Sequence, residues 1–201
     1  MNSKQRARPL SPEERRQSIV DAVTRLILDN GSIPTTAEIA GAAGVAEGTI
    51  YSVFPDKHSI FHAVIEKSVD PTPTIAALSE VHEGAPLERQ LGEAIRIMQE
   101  RLDRTISLIM VIRSAFPQPD ASPARKRREF THADAGITAA IIEIFDRSGR
   151  PLSMPAERLA MTLRTLVFAS AHPLFGPEER LTVDEIVTIV VAAAGLREGV
   201  A

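Results

Sequence analysis

The sequence predicts an all-α protein in which a domain of short helices precedes a larger domain of longer helices. Apolar residues recur at helical spacing along most of the 201 residues, and no usable stretch shows the apolar–polar alternation of a half-buried strand. Three times, a Ser or Thr is followed three positions later by Glu at the start of such a stretch. This pattern is the capping box of a helix N-terminus. We expect a basic arm at residues 1–11, short helices at 12–70 and longer helices at 71–201.

The first helix is predicted to begin at the capping box of Ser11 and Glu14. It ends at Gly31, because glycine adopts a positive φ without strain and commonly terminates helices. Between these points the apolar residues recur at helical spacing, at Ile19, Val20, Val23, Leu26 and Ile27.

Three short helices are predicted in the next stretch, TTAEIAGAAGVAEGTIYSVFPDKHSIFHAV, residues 35–64. The first of them begins at the capping box of Thr35 and ends at the turn-forming Gly44. The next runs from about Ala46 to Phe54, since a residue that precedes proline is pushed out of the helical region. A further helix follows to about residue 69.

Longer helices are predicted beyond residue 73. One apolar stripe runs through residues 87–102, and residues 105–112 are apolar all round, which is typical of a helix buried on several sides. The remaining helices are expected from Ser122 to near Gly149, at Pro155–Ala171 and at Thr182–Arg197.

The composition argues against several classes of protein. There is no Cys, which excludes disulfides, thiolate metal sites and Cys nucleophiles and fits a reducing cytosol. No apolar run reaches the ~18 residues of a membrane span, and no signal peptide is recognisable, so we expect a cytoplasmic protein with no membrane partner. His58 and His62 have a metal-ligand spacing but no carboxylate frame. With no catalytic constellation visible, we expect no enzyme activity, cofactor or metal.

Two short helices joined by a tight glycine turn are typical of a helix-turn-helix, whose second helix lies on the surface. Here that helix carries EGTIYS, whose small side chains can enter a major groove about 12 Å wide. The candidate DNA contacts are Thr36, Glu47, Gly48, Thr49, Tyr51, Ser52 and Lys57. The arm, with Lys4, Arg6 and Arg8, can lie along phosphates or remain a solvated tail. For Tyr51, burial in the core is the alternative.

The stretch TTAEIAGAAGVAEGTIYSVFPDKHSIFHAVIE resembles the N-terminal domain of the TetR/AcrR transcriptional regulators. Their usual form is close to T-x-x-x-I-A-x-x-A-G-V-S-x-G-T-x-Y-x-x-F-x-x-K-x-x-L. The resemblance covers about residues 12–68 and includes Ile39, Ala40, Ala43, Gly44, Val45, Gly48, Thr49, Tyr51, Phe54 and Lys57. It implies a repressor that binds a double-stranded DNA operator and is released by a small-molecule effector bound to the larger domain. The last two helices, apolar on more than one face, are expected to form a homodimer.

Three departures from the family pattern bear on the operator that is bound. Ala46 stands where a capping Ser is usual, so about 1 kcal/mol of helix cap is missing. Glu47 replaces a neutral or basic residue and can accept a hydrogen bond from a cytosine amino group. Val53 stands where a polar residue is common and can contact a thymine methyl group.

A ligand pocket is expected among the central helices. Its candidate residues are Met98, Met110, Arg113, Phe116, Phe130, His132, Ile137, Met161, Arg164 and Phe168. Because Met and Phe also fill ordinary helical cores, plain packing is the alternative for each apolar member. With only 4% aromatic residues, an apolar or amphipathic ligand fits better than a flat polycyclic one.

Other functions remain open from the sequence alone. The ligand can promote DNA binding instead of ending it, or the regulator can activate transcription. From a different class, the larger region can be a small-molecule carrier with an appended helix-turn-helix.

Overall fold

The computed structural model describes residues 11–116, 123–172 and 180–196, with the backbone alone for residues 123–134. All regular elements in these ranges are α-helices, as the sequence predicted. They are α1 (Pro12–Asn30), α2 (Thr36–Ala43), α3 (Glu47–Val53), α4 (Lys57–Val69), α5 (Thr72–Ser79), α6 (Leu87–Ala115), α7 (Pro123–Arg147), α8 (Ala156–Ala171) and α9 (Val183–Ala193). Within the described ranges, none of these helices combines the length and the apolar character that crossing a membrane requires.

The three predicted capping boxes are all formed. At α2, the Thr35 hydroxyl accepts from the Glu38 backbone N–H at 3.3 Å, and the Glu38 carboxylate accepts from the Thr35 backbone N–H at 2.7 Å. The same reciprocal bonds begin α1 and α9. Gly31 and Gly44 end α1 and α2 with φ of 64° and 67°. The limits of these helices are therefore set by local hydrogen bonds.

The helices differ from the prediction in one added helix and in several limits. The sequence did not predict α5, because Pro71 and Pro73 indicated a break. The Asp70 carboxylate accepts from the Thr72 N–H at 3.0 Å, and Pro73 lies in the first turn, where a missing N–H leaves no bond unmade. Helix α3 begins at Glu47, one residue later than expected. Helix α9 ends at Ala193 and does not continue towards Arg197.

The described chain divides into two compact units, and the first contains residues 11–68 and 107–116. Its core is formed by α1 to α4 together with Leu108 and Ile112 of α6. The Ser18 hydroxyl donates to the Ala43 carbonyl at 3.1 Å and joins α1 to the end of α2. The short helices α2 and α3 are thus held by a longer helix and a shared apolar core.

The second unit contains the described residues of 69–106 and 123–196. Its core takes residues from α5 to α9, and the fully buried members include Leu78, Leu91, Ile95, Ile141, Phe145, Leu163 and Ile186. Helix α6, which is 29 residues long, supplies core residues to both units.

Candidate nucleic-acid interface

Helix α3 is anchored on one side by two apolar residues. Ile50 is 1% exposed and Phe54, which follows the helix, is fully buried. The Arg16 guanidinium lies 4.4 Å from the centre of the Phe54 ring and covers it from α1. Phe54 itself is extended, with φ −127° and ψ 124°, as expected before Pro55. A helix of only seven residues, too short to be stable alone, therefore gains its position from burial.

The other side of α3 faces solvent. Glu47, Gly48, Tyr51 and Ser52 are exposed, and Tyr51 is 57% exposed although it is aromatic. Its hydroxyl oxygen lies 3.4 Å from that of Thr36 on α2. Tyr51 is therefore not a core residue, and the two hydroxyl groups form one polar point where α2 and α3 meet.

Two small residues shape the exposed surface between these polar groups. Gly48 has open space around it, since a Cβ placed there would meet nothing within 4 Å. The Ser52 hydroxyl donates to the Thr49 carbonyl at 2.7 Å, so it stays close to its own backbone. Both features leave the backbone of α3 open to close approach by another molecule.

The start of α4 contributes the nearest basic side chain along the chain, Lys57, which is half-buried. Asp56 precedes it and caps the helix, with its carboxylate accepting from the Ser59 N–H at 2.8 Å. That hydrogen bond holds the pKa of Asp56 below its ordinary value. The sequence suggested that free N–H groups at this terminus favour phosphate, but the Asp56 carboxylate already accepts from one of these N–H groups.

The predicted ligand residues belong to both units and differ in burial. Met98 and Ile137 are buried in the core of the second unit, whereas Met161 and Phe168 are exposed on α8, by 53% and 47%. Met110 and Arg113 are exposed, and the Phe116 ring contacts Phe61, all in the first unit. Arg164 donates to the Thr138 hydroxyl. The side chains of Phe130 and His132 lie outside the described residues.

A cleft of about 330 Å³ lies within the second unit, and its described lining contains none of the predicted ligand residues. Its walls are mainly polar and include Gln99, Asp103, Ser170, Arg180 and Thr182. Gln99 donates to the Ser170 hydroxyl at 3.2 Å, and Arg180 lies 3.7 Å from the Asp103 carboxylate. Sequence reasoning missed these residues because it weighed Met and Phe and treated polar helix residues as solvated. No group of His, Asp and Glu suited to holding a metal is found in the described ranges.

A short, solvent-facing helix held across a glycine turn by a capped partner is the arrangement of a helix-turn-helix. The fold and this surface define a helix-turn-helix DNA-binding protein. Residues 19–64 match the sequence profile described as bacterial regulatory proteins, tetR family. This part of the chain is therefore similar to the regulators of that family.

Known proteins of the same kind resemble the rest of the chain as well. The HTH-type transcriptional regulator TtgR of Pseudomonas putida is 28% identical over 159 residues, 75% of each chain. The fatty acid degradation regulator FadR of Bacillus halodurans is 18% identical over 96% of this chain and all of its own, with a TM-score of 0.55. LfrR of Mycobacterium smegmatis, solved with proflavine, is 18% identical over 91% of this chain and 98% of its own, with a TM-score of 0.54. At this identity the two structures establish the shared fold.

Proposed function

We propose that the protein is a homodimeric repressor that binds its operator through the exposed surface of α3 and is released by a small molecule. The observation that carries the DNA-binding site is the contrast within α3. Tyr51 is 57% exposed while Ile50 beside it is 1% exposed. One side of the helix is therefore packed against the core of the first unit, and the opposite side faces solvent. A gel shift of the purified protein on the promoter beside its own gene tests this function. No shift at low salt would favour the carrier alternative.

We assign phosphate contacts to Tyr51, Thr36 and Lys57. The two hydroxyl groups are 3.4 Å apart and can donate to one phosphate, and Lys57 supplies the charge. Lys57→Ala is expected to weaken binding to all sequences and to lower the salt slope by about 1. Lys67→Ala is the matched control on the same helix, because Lys67 pairs with Asp21 inside the first unit. Equal effects of the two variants on the slope would contradict the assignment.

The Tyr51 hydroxyl is tested separately from its ring. Tyr51→Phe keeps the ring and is expected to weaken operator binding roughly tenfold, the effect of losing one hydrogen bond to a charged group. The melting temperature is expected to change little, since Tyr51 is mostly exposed. Unchanged operator affinity in Tyr51→Phe would show that the hydroxyl does not contact DNA.

Gly48 offers a sharper test, since the backbone there has room for a side chain in the free protein. We propose that DNA approaches Gly48 closely. Gly48→Ala is expected to stabilise α3 by about 0.5–1 kcal/mol and to weaken DNA binding. Gly41→Ala on α2 is the matched control, because Gly41 is also exposed and also has nothing within 4 Å of a new Cβ. It is expected to stabilise the protein without loss of DNA affinity.

The basic arm is proposed to supply long-range attraction to DNA. Residues 11–68 carry eight acidic and five basic side chains, whereas residues 1–10 carry three basic ones and no acidic one. Replacing Lys4, Arg6 and Arg8 by Gln is expected to lower the salt slope by up to about 2.7, about 0.9 for each phosphate contact. An unchanged slope would mean that the arm is a solvated tail.

The dimer is proposed to form through α8 and α9. Met161 and Phe168 lie two turns apart on α8 and are 53% and 47% exposed, and Ile189 on α9 is 41% exposed. Opposite faces of the same helices are buried in their own unit, so a second copy can complete a four-helix arrangement.

Phe168→Glu is expected to give monomers in sedimentation experiments. Met110→Glu is the control, because Met110 is 57% exposed but lies on α6. Dissociation of both variants, or of neither, would contradict this interface.

For the effector, we propose a small apolar or amphipathic molecule. The related FadR is named as a fatty acid degradation regulator, and LfrR was solved with proflavine. This chain has seven Phe, one Tyr and no Trp, which leaves few rings for stacking on a planar aromatic compound. The polar cleft at Gln99 and Arg180 offers a second position, suited to a ligand with hydrogen-bonding groups. A medium-chain fatty acid is expected to reverse the gel shift at lower concentration than proflavine; the reverse order would overturn this class.

Helix α6 is proposed to transmit the effect of the ligand. Its first part supplies Leu91 and Ile95 to the second core, and its last turns supply Leu108 and Ile112 to the first core, which also contains residues of α4. A ligand that shifts α6 would therefore disturb α4. To move operator occupancy from 99:1 to 1:99, it must favour the released state by about 5.5 kcal/mol.

A further inference from the structure

The surface that α2 and α3 present to DNA lacks the side chains that usually read purines. Between Thr36 and Val53 the sequence TAEIAGAAGVAEGTIYSV contains no Arg, Lys, Asn or Gln. Arg and Lys are the common partners of guanine, and Asn and Gln are the common partners of adenine. The usual Arg or Lys contact to guanine and the Asn or Gln contact to adenine are therefore missing from the two helices. Their only charged residues are Glu38 and Glu47.

These two carboxylates differ in what they already bind. The Glu38 carboxylate accepts from the backbone N–H and the hydroxyl of Thr35, both at 2.7 Å, so the capping box of α2 occupies it. Glu47 is exposed at the first position of α3. No hydrogen bond or ion pair of its carboxylate is found among the described residues. Of the two, Glu47 is the one available to an incoming base.

We propose that Glu47 selects the base at one position of each operator half-site by accepting a hydrogen bond from the N4 amino group of a cytosine. Cytosine presents this donor in the major groove, and a carboxylate carries acceptors only. The open space at Gly48 allows the short α3 to approach the base edges closely enough for this contact. The assignment rests on the DNA-binding function proposed for α3 and adds the base that it reads.

The carboxylate also repels phosphates, so this selectivity lowers affinity for every sequence. Replacing Glu47 by Gln removes a negative charge and is expected to strengthen binding to DNA in general. A ratio of affinities for two duplexes that differ in one base pair cancels this general effect, since both duplexes carry the same phosphates. The ratio therefore isolates what the side chain reads.

A purely structural role is the competing explanation. Acidic residues in the first turn of a helix interact favourably with its dipole, and α3 has no side-chain cap at Ala46. Such a role would change the melting temperature of Glu47 variants and leave the base preference unchanged. Glu13→Gln is the matched control, because Glu13 is an exposed acidic residue in the first turn of α1.

The experiment selects binding sites from a randomised duplex library with the full-length protein and with Glu47→Gln, Glu47→Ala and Glu13→Gln. The wild-type protein and Glu13→Gln are expected to select a cytosine at one position of each half-site and to lose about tenfold in affinity when it is replaced. Glu47→Gln is expected to prefer adenine there, and Glu47→Ala to show no preference at that position.

Two results would overturn the proposal in different ways. If both Glu47 variants keep the wild-type preference at every position, Glu47 does not read a base, although α3 still binds DNA. If the wild-type protein enriches no sequence at all, DNA recognition by α3 fails, and the role of Glu47 fails with it.

Discussion

The two helices of the helix-turn-helix differ in how they use their polar side chains. In α2, Thr35 and Glu38 bond each other's backbone and close the N-terminus. In α3, Ala46 provides no such bond, the Ser52 hydroxyl bonds the Thr49 carbonyl, and Glu47 and Tyr51 face solvent. Polar side chains that form hydrogen bonds within their own helix stabilise it, whereas exposed polar side chains without such bonds are available to another molecule. The difference supports the proposal that α2 stabilises the motif and α3 contacts DNA.

The largest expected effect separates the buried side of α3 from its exposed side. Phe54→Ala removes a fully buried ring and is expected to lower the free energy of unfolding by about 3–5 kcal/mol. Tyr51→Ala, which removes a ring of similar size from the solvent side, is expected to cost less than about 0.5 kcal/mol. Chemical denaturation of both variants checks the contrast. A similar loss in both would show that α3 has no distinct exposed side.

Loss of the α2 cap is expected to lower the free energy of unfolding measurably, but by less than loss of a core ring. Thr35→Ala breaks the capping box and is expected to lower the free energy of unfolding by about 1 kcal/mol. Thr35→Ser keeps the hydroxyl and serves as its control. If Thr35→Ala is as stable as the wild type, the closed N-terminus of α2 does not support the fold.

A hydroxyl at the N-cap of α3 would give this helix a side-chain cap like that of α2. Ala46→Ser supplies a hydroxyl at the N-cap, where the backbone is already extended with φ −73° and ψ 148°, and is expected to raise the free energy of unfolding by about 0.5–1 kcal/mol. Thermal melts measure the gain. Ala42→Ser, an exposed position inside α2, is the control and is expected to give none, because Ser inside a helix finds no free N–H.

The smallest effect is the pH dependence of the capping boxes. Hydrogen bonds from the Thr35 backbone N–H and hydroxyl lower the pKa of Glu38 from its ordinary 4.5, and Ser11 and Thr182 do the same for Glu14 and Glu185. A carboxyl whose pKa is lower in the folded state stabilises it above the ordinary pKa, and this contribution is lost as the pH falls through 4.5 and below.

Glu38→Gln tests this dependence, because Gln keeps the capping-box geometry without titrating. Between pH 7 and pH 4 its melting temperature is expected to fall less than that of the wild type. Parallel curves for the two proteins would mean that the Glu38 cap contributes no pH dependence.

Features set by neighbouring residues could be predicted from the sequence, and features set by distant contacts could not. The capping boxes and the turn at Gly44 depend on residues within a few positions of one another. By contrast, Leu108 and Ile112 belong to the core of the first unit, although the sequence analysis placed them in the larger domain at residues 71–201. Their place in this core depends on contacts with residues far away in the sequence, and the spacing of apolar residues does not reveal such contacts.

The same limit explains why the predicted ligand residues differ in burial. Met98 and Met161 both fit an apolar helical stripe, yet one is 5% and the other 53% exposed. Periodicity identifies the faces of a helix but does not identify which neighbour covers them. The exposed surface of α3 could be predicted because a helix of seven residues buries only one face, which leaves its other residues exposed to solvent.

The open surroundings of Gly48 and the exposed position of Glu47 have an evolutionary consequence. A new side chain at Gly48 would meet no neighbour, and the Glu47 side chain is exposed, so substitutions at either position leave the fold intact. If α3 contacts DNA as proposed, such substitutions change the preferred promoter. After gene duplication, a daughter copy could acquire new target genes through one or two codon changes while inheriting an intact scaffold.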